Sequence, residues 1–200
     1  MDPFVHQTAD IDADVSIQNG AKIWHYAQIR NGANIGSGTI IGRGAYVGSD
    51  VHVGKNCKIQ NYALVYEPAH LEDGVFIGPA AVLTNDHFPR AVTPSLEIKN
   101  STDWTAVGVT LREGASIGAR AVCVAPVTVG RWALVAAGAV VNKDVPDFAL
   151  VVGVPARQIG WVGKQGHPLE DKGAGIFECP VDGTRYRLTS PQILEEITQS

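Results

Sequence analysis

The sequence predicts an all-β protein whose body is a parallel β-helix of about seven coils, with one protruding loop and a small C-terminal appendage. Three observations carry this. An aliphatic residue recurs at every sixth position, a small or β-branched residue follows it four places later, and the register breaks only once, over residues 89–104. An amphipathic helix would set its apolar residues at i, i+3, i+4 and i+7, and an ordinary strand would alternate in twos for one short run. A strict six fits neither; it fits short strands joined by tight corners, each coil buried only against its neighbours.

The first run of the repeat, Val5, Ile11, Ile17, Ile23, Ile29, Ile35, Ile41, Val47, Val53, Ile59, Val65, Leu71, Ile77 and Leu83, holds fourteen hexads without a slip. The branched residue points inward, while the residue four later (Ala9, Val15 and Ala21 onward to Ala81) sits near a corner where space limits its size. His87 breaks that companion series. Gly36, Gly42, Gly48, Gly54, Gly78, Gly118 and Gly130 stand second in their hexads, where a Cβ would hinder the backbone. The register resumes at Thr105 and runs through Leu111, Ile117, Cys123, Val129, Val135 and Val141, giving twenty-one hexads in all. At the strand spacing of about 4.8 Å, seven coils make a prism roughly 34 Å long.

Residues 89–104, "PRAVTPSLEIKNSTDW", cannot continue a coil, because Pro89, Pro94 and a polar "KNSTD" interrupt it. A long loop inside a regular solenoid is more often functional than accidental. Residues 147–162 resemble the segment that closes known prisms of this kind, which implies a β-helix over 1–162 and a small second unit over 163–200. In that tail Ser190 as N-cap and Pro191 at the first helical position predict a short helix. Its middle reads like an eroded zinc ribbon: only Cys179 remains, with Gly163, Gln165 and Asp182 where partners would stand. A structural zinc needs four N or S ligands, so no metal is expected, and a hairpin turned at Asp182-Gly183 replaces the ribbon.

Composition narrows the function. A net charge of −4 with both signs interspersed lacks the basic footprint that nucleic acid or an anionic membrane would require. Cys57, Cys123 and Cys179 are an odd, widely spaced set that suggests no disulfide framework. The N-terminus has neither a basic nor an apolar leader region, and no run of 18 apolar residues occurs, so a soluble cytoplasmic protein is expected.

The hexad [Ile/Val/Leu]-Gly-x-x-[small]-x over residues 5 to about 162 resembles that of the left-handed parallel β-helix acyltransferases. Parallel crossovers are right-handed in about 98% of cases, so left-handedness is implied by the resemblance alone. "IWHYAQIRNGANIG" (23–36), "KIQNYALVYEPAHLEDGVFIGPAAVLTNDHFPRA" (58–91) and "GASIGARAVCVAPVTVG" (114–130) resemble the N-acetyltransferases of UDP- or dTDP-linked 3-amino sugars, such as UDP-2-acetamido-3-amino-2,3-dideoxyglucuronate. The family run near V-Y-E-G…T-N-D-x-x-P-R is met by Tyr66-Glu67, Thr84-Asn85-Asp86 and Pro89-Arg90, with Pro68 in place of the usual Gly.

The resemblance implies acetyl-CoA as co-substrate, a nucleotide-linked amino sugar as acceptor, and a homotrimer with sites between subunits. A regular prism has no internal cleft, which agrees with such a placement. Asn85 and Glu67, 18 residues apart, fall on adjacent coils at one corner and would hold the amine. His87, where the loop departs, is the candidate general base, the alternative being proton uptake by the departing CoA thiolate. By resemblance His25, Arg30, Gln60 and Asn61, with Asp86 and Arg90, serve the nucleotide sugar, Arg30 as a bidentate partner for a diphosphate. Ala119, Ala137 and Gly138 would keep a groove open for pantetheine, and Lys143 and Arg157 would meet the CoA phosphates. His52 and His70 stack 18 residues apart at one corner, but no two histidines lie as close in sequence as the three-histidine zinc site of carbonic-anhydrase-like prisms implies. An O-acetyltransferase, or a carbonic-anhydrase-like or non-catalytic trimer, are the competing readings.

Overall fold

The computed structural model describes residues 1–197. Two-residue strands follow one another every six residues, beginning with Phe4–Val5, Asp10–Ile11 and Ser16–Ile17, and each pairs in parallel with the strand one coil later. They sort into three faces. The first runs from Phe4–Val5 to Ala149–Val152, the second from Asp10–Ile11 to Val140–Val141, and the third from Ser16–Ile17 to Val127–Val129. Six coils have a strand on all three faces, the seventh is closed on the third face by the Val129–Val145 bridge, and Ala149–Val152 begins an eighth on the first face.

The period of six sets which side chain goes in. From the second coil onward the second residue of each two-residue prism strand is interior: Ile23, Ile29, Ile35, Ile41, Ile59 and Ile77 are fully buried, and so are the corner residues Ala21, Ala27 and Ala63 between them, whereas Val5 at the open end of the first coil is exposed. Among the described residues Thr39 is the one buried polar side chain, and it is satisfied twice. Its hydroxyl donates to Gly54 O at 2.8 Å and accepts from Cys57 N–H at 3.0 Å. The hexad glycines are required by the close approach of the next coil rather than by their own φ. Gly36 has no positive φ, but a Cβ there would lie 2.4 Å from the Gly54 carbonyl carbon of the next coil.

Two boundaries differ from the sequence expectation. Thr105 is exposed and lies in the loop; the third face resumes only at Val109–Leu111, which pairs with His70–Leu71. The departure thus extends from Leu83 to Val109, because Thr105 fits the spacing but has no coil beneath it. No helix forms at Ser190. Residues Arg185–Ser190 and Ile193–Glu196 are antiparallel strands of a small four-stranded sheet, completed by Glu170–Asp171 and Ile176–Glu178. Pairing and burial outweigh the N-cap signal, since Tyr186 and Leu194 pack onto the end of the prism, with Tyr186 5.3 Å from the Phe148 ring. The chain turns at Gly183, φ +71°, between Ile176–Glu178 and Arg185–Ser190. No helix among the described residues is long and apolar enough to cross a membrane.

Candidate active site

The three faces meet at three corners, and the candidate residues occupy two of them. On the corner between the second and third faces lie Arg30, Glu67, Asn85, Asp86, His87 and Lys143. On the corner between the first and second lie His25, Gln60, Asn61, Ala119, Ala137 and Gly138. One chain therefore does not bring the whole set together, because the second face stands between.

At the loop corner, Val65 pairs with Leu83, so Glu67 and Asn85 hold equivalent places one coil apart. The turn before the loop is fixed by Thr84, whose hydroxyl accepts from Ala125 N–H at 3.0 Å, and by the Asn85 carbonyl, which accepts from Val107 N–H. Asp86 caps the next bend by accepting from Phe88 N–H at 2.8 Å. His87 then reaches over to the following coil, where its Nδ1 lies 3.0 Å from Ala125 O. A carbonyl can only accept, so Nδ1 is the donor here, and in a neutral ring Nε2 would be the acceptor.

Glu67 lies back over Gly48, and its Oε2 is buried without a hydrogen-bond partner. Buried polar atoms are normally paired, so an unpaired carboxylate oxygen marks a place for a donor. Beside it the Tyr46 and Tyr66 rings lie 5.2 Å apart, and burial first, then the charge of Glu67, raises the Tyr46 phenol above its ordinary value. Pro68 does not prevent the turn, which closes through Ala69 N–H to Tyr66 O at 3.2 Å.

A cavity of about 530 Å³ opens under the loop, lined by Asp86, His87, Phe88, Lys99, Trp104 and Pro126 among others. Phe88 packs edge-on against the His87 ring at 4.2 Å. Trp104, Lys99 and Tyr46 were absent from the sequence expectation. A lone tryptophan in a polar loop was the available signal for the first; nothing in the repeat marked Tyr46. Arg90 is exposed and donates to the Pro89 carbonyl.

A second cavity of about 530 Å³ at the far end of the prism brings Lys143 and Arg157 together, with Gln158 and, from the tail, Gln192 and Ile193. On the other corner Gly138, φ +71°, has nothing within 4 Å of its would-be Cβ, and Ala119 precedes it by one coil. Asn61 is partly committed to structure, its side-chain oxygen accepting from Arg43 N–H at 2.9 Å. Arg30 differs from expectation. Its guanidinium lies 3.6 Å from Asp10 and 3.4 Å from Asp12, and two carboxylates at its side would repel a diphosphate. His52 and His70 stack with centroids 4.7 Å apart, on strands of the third face rather than at a corner.

Fold and repeat together define the class: a hexapeptide-repeat, left-handed parallel β-helix. Its particular likenesses are as follows. Residues 14–49 match the model described as bacterial transferase hexapeptide (six repeats), and residues 113–143 that described as hexapeptide repeat of succinyl-transferase. Over 52 residues the chain is 52% identical to a dTDP-3-amino-3,6-dideoxy-alpha-D-galactopyranose 3-N-acetyltransferase of Aneurinibacillus thermoaerophilus, covering 26% of this chain and 27% of that protein. Over 97 residues it is 36% identical to a 2,3,4,5-tetrahydropyridine-2,6-dicarboxylate N-acetyltransferase of Staphylococcus aureus, covering 48% and 33%. The matches span between 10% and 33% of the length of these and other curated relatives. Among solved structures, a point mutant of AntD, an N-acyltransferase from Bacillus cereus in complex with dTDP and coenzyme A, superposes with a TM-score of 0.51 at 21% identity, covering 82% and 83%. A hexapeptide-repeat acetyltransferase of Vibrio cholerae complexed with acetyl coenzyme A gives 0.54 at 22%, covering 66% and 71%. These last two are likenesses of fold.

Proposed function

We propose that this chain is an acetyl-CoA-dependent N-acetyltransferase acting on the 3-amino group of a UDP- or dTDP-linked sugar, in the synthesis of polysaccharide, lipopolysaccharide or glycoside precursors. The observation that carries the reading is His87, held through Nδ1 by Ala125 O at 3.0 Å so that Nε2 is free to accept a proton beside the loop cavity. One coil below Asn85, the Glu67 carboxylate holds the equivalent corner place, where the amine could donate to it. The relative named for 3-N-acetylation of a dTDP-linked amino sugar supports the acceptor class.

The residues act as follows. Asn85 and Glu67 orient the amine, whose nitrogen must be neutral to use its lone pair. As nitrogen bonds to the thioester carbonyl carbon, Nε2 of His87 takes the N–H proton, the C–S bond breaks and CoA leaves as thiolate. The acquired proton then passes to the thiolate or to water. Ala119, Ala137 and Gly138 line the pantetheine groove, and Lys143 and Arg157 face the CoA phosphates. His25, Gln60, Asn61, Asp86 and Arg90 serve the nucleotide sugar.

Because these residues occupy two corners, the complete site requires the first corner of one copy against the loop corner of another. A cyclic homotrimer supplies three such junctions. The outward column of the second face begins with the exposed Asp10 and Gln28, but from Tyr46 through Leu64, Val82, Val122 and Val140 it is apolar and half-buried, which suits that stretch to the contact. The β-helix of residues 1–162 carries the reaction in this reading, 163–200 form an appendage, and the cytoplasm supplies acetyl-CoA. NMR of the product tests it. An amide at carbon 3 is expected, and an ester would assign the chain to the O-acetyltransferases.

A further inference from the structure

The first corner carries a feature that no role above uses. In successive coils Tyr26, Arg43 and Tyr62 form a ladder, with the Arg43 guanidinium 5.6 Å from the Tyr26 ring centre and 5.9 Å from that of Tyr62. Both tyrosines occupy left-handed turn positions, φ +57° and +59°, which aim their rings outward, and they are 58% and 53% exposed. Placed between two rings, a guanidinium is held in one orientation while its N–H edge stays available. Among the described residues Arg43 makes no ion pair and no side-chain hydrogen bond, in contrast to Arg30, Arg112 and Arg131.

The charge around it is one-sided. The chain has 20 Asp and Glu residues, yet none falls in the turns of this corner, at 6–9, 24–27, 42–45, 60–63, 78–81, 118–121 and 136–139. Lys22 and Lys58 point outward from the first face in the coils on either side of Arg43. A planar, five-donor cation within a carboxylate-free strip matches the paired oxygens of a phosphate, and exposed aromatic faces beside it match a nucleobase.

We infer that Tyr26, Arg43 and Tyr62 form the binding platform for the nucleoside diphosphate of the acceptor, Arg43 gripping the diphosphate and a tyrosine face stacking on the base. This rests on the nucleotide-sugar reading and replaces Arg30 in the diphosphate role. It orders the corner along its length, with nucleotide on the early coils and pantetheine on the later ones at Ala119 and Gly138.

The test is calorimetric titration of the purified protein with UDP, dTDP and acetyl-CoA separately, repeated on Arg43→Ala and Arg43→Lys. One diphosphate should bind the unaltered protein. Arg43→Ala should weaken it about tenfold or more, as loss of a charge-assisted contact implies. Arg43→Lys should fall between, keeping the charge but not the fork, and acetyl-CoA should bind all three proteins alike. Diphosphate binding that survives Arg43→Ala unchanged would overturn the platform while leaving the nucleotide-sugar reading intact, and an equal loss of acetyl-CoA binding would assign the ladder to CoA. Failure of the unaltered protein to bind either diphosphate would remove both.

Discussion

At the scale of the residue, His87 shows how far sequence reading reaches. It stands out because it breaks a slot otherwise filled by Ala, Val, Thr or Cys, so its departure was legible. The proton's position was not, because Ala125 lies 38 residues away and comes near only through the stacking of coils. The same holds for Glu67, whose unpaired oxygen is visible only once Gly48 is known to lie against it. General bases contribute about 10²- to 10⁴-fold to rate, so His87→Ala should lower kcat by at least about a hundredfold at neutral pH with acetyl-CoA binding unchanged. Steady-state kinetics would measure this, and nearly normal turnover would hand the proton to the thiolate instead. The carboxylates beside Arg30 were not legible for a related reason, since Asp10 and Asp12 belong to the preceding coil.

At the scale of the element, the hexad fixes strand, corner and interior together, and almost every strand position followed from counting. What counting missed were its ends. Thr105 keeps the arithmetic but not the stacking, and Ser190-Pro191 has a helix-starting pair in a segment whose Leu194 is buried as a strand residue. The glycines give a direct check. Gly36→Ala would force its Cβ against the backbone of Gly54, which must shift, whereas Gly160 has open space and no positive φ. Gly36→Ala should therefore cost about 1–3 kcal/mol and Gly160→Ala close to nothing, as read from denaturant midpoints. Equal effects at the two sites would mean that coil stacking is looser than described.

At the scale of the molecule, regularity itself explains why the site is divided. A prism repeating every 18 residues makes long corners and flat faces but no cleft, so chemistry requires a loop, a second copy or both. Here the loop supplies His87 and the walls Trp104 and Lys99, while the open groove at Ala119 and Gly138 and the ladder at Arg43 lie across the second face. In the proposed trimer the outward column of that face from Tyr46 onward would bring the two corners together. The decisive measurement is thiol release from acetyl-CoA by the purified assembly, its mass checked by light scattering, with a panel of UDP- and dTDP-linked 3-amino sugars beside their hydroxyl counterparts. Release with an amino sugar alone, from a three-chain particle, is the predicted result. No release with any amino sugar, from a folded trimer, would contradict the account.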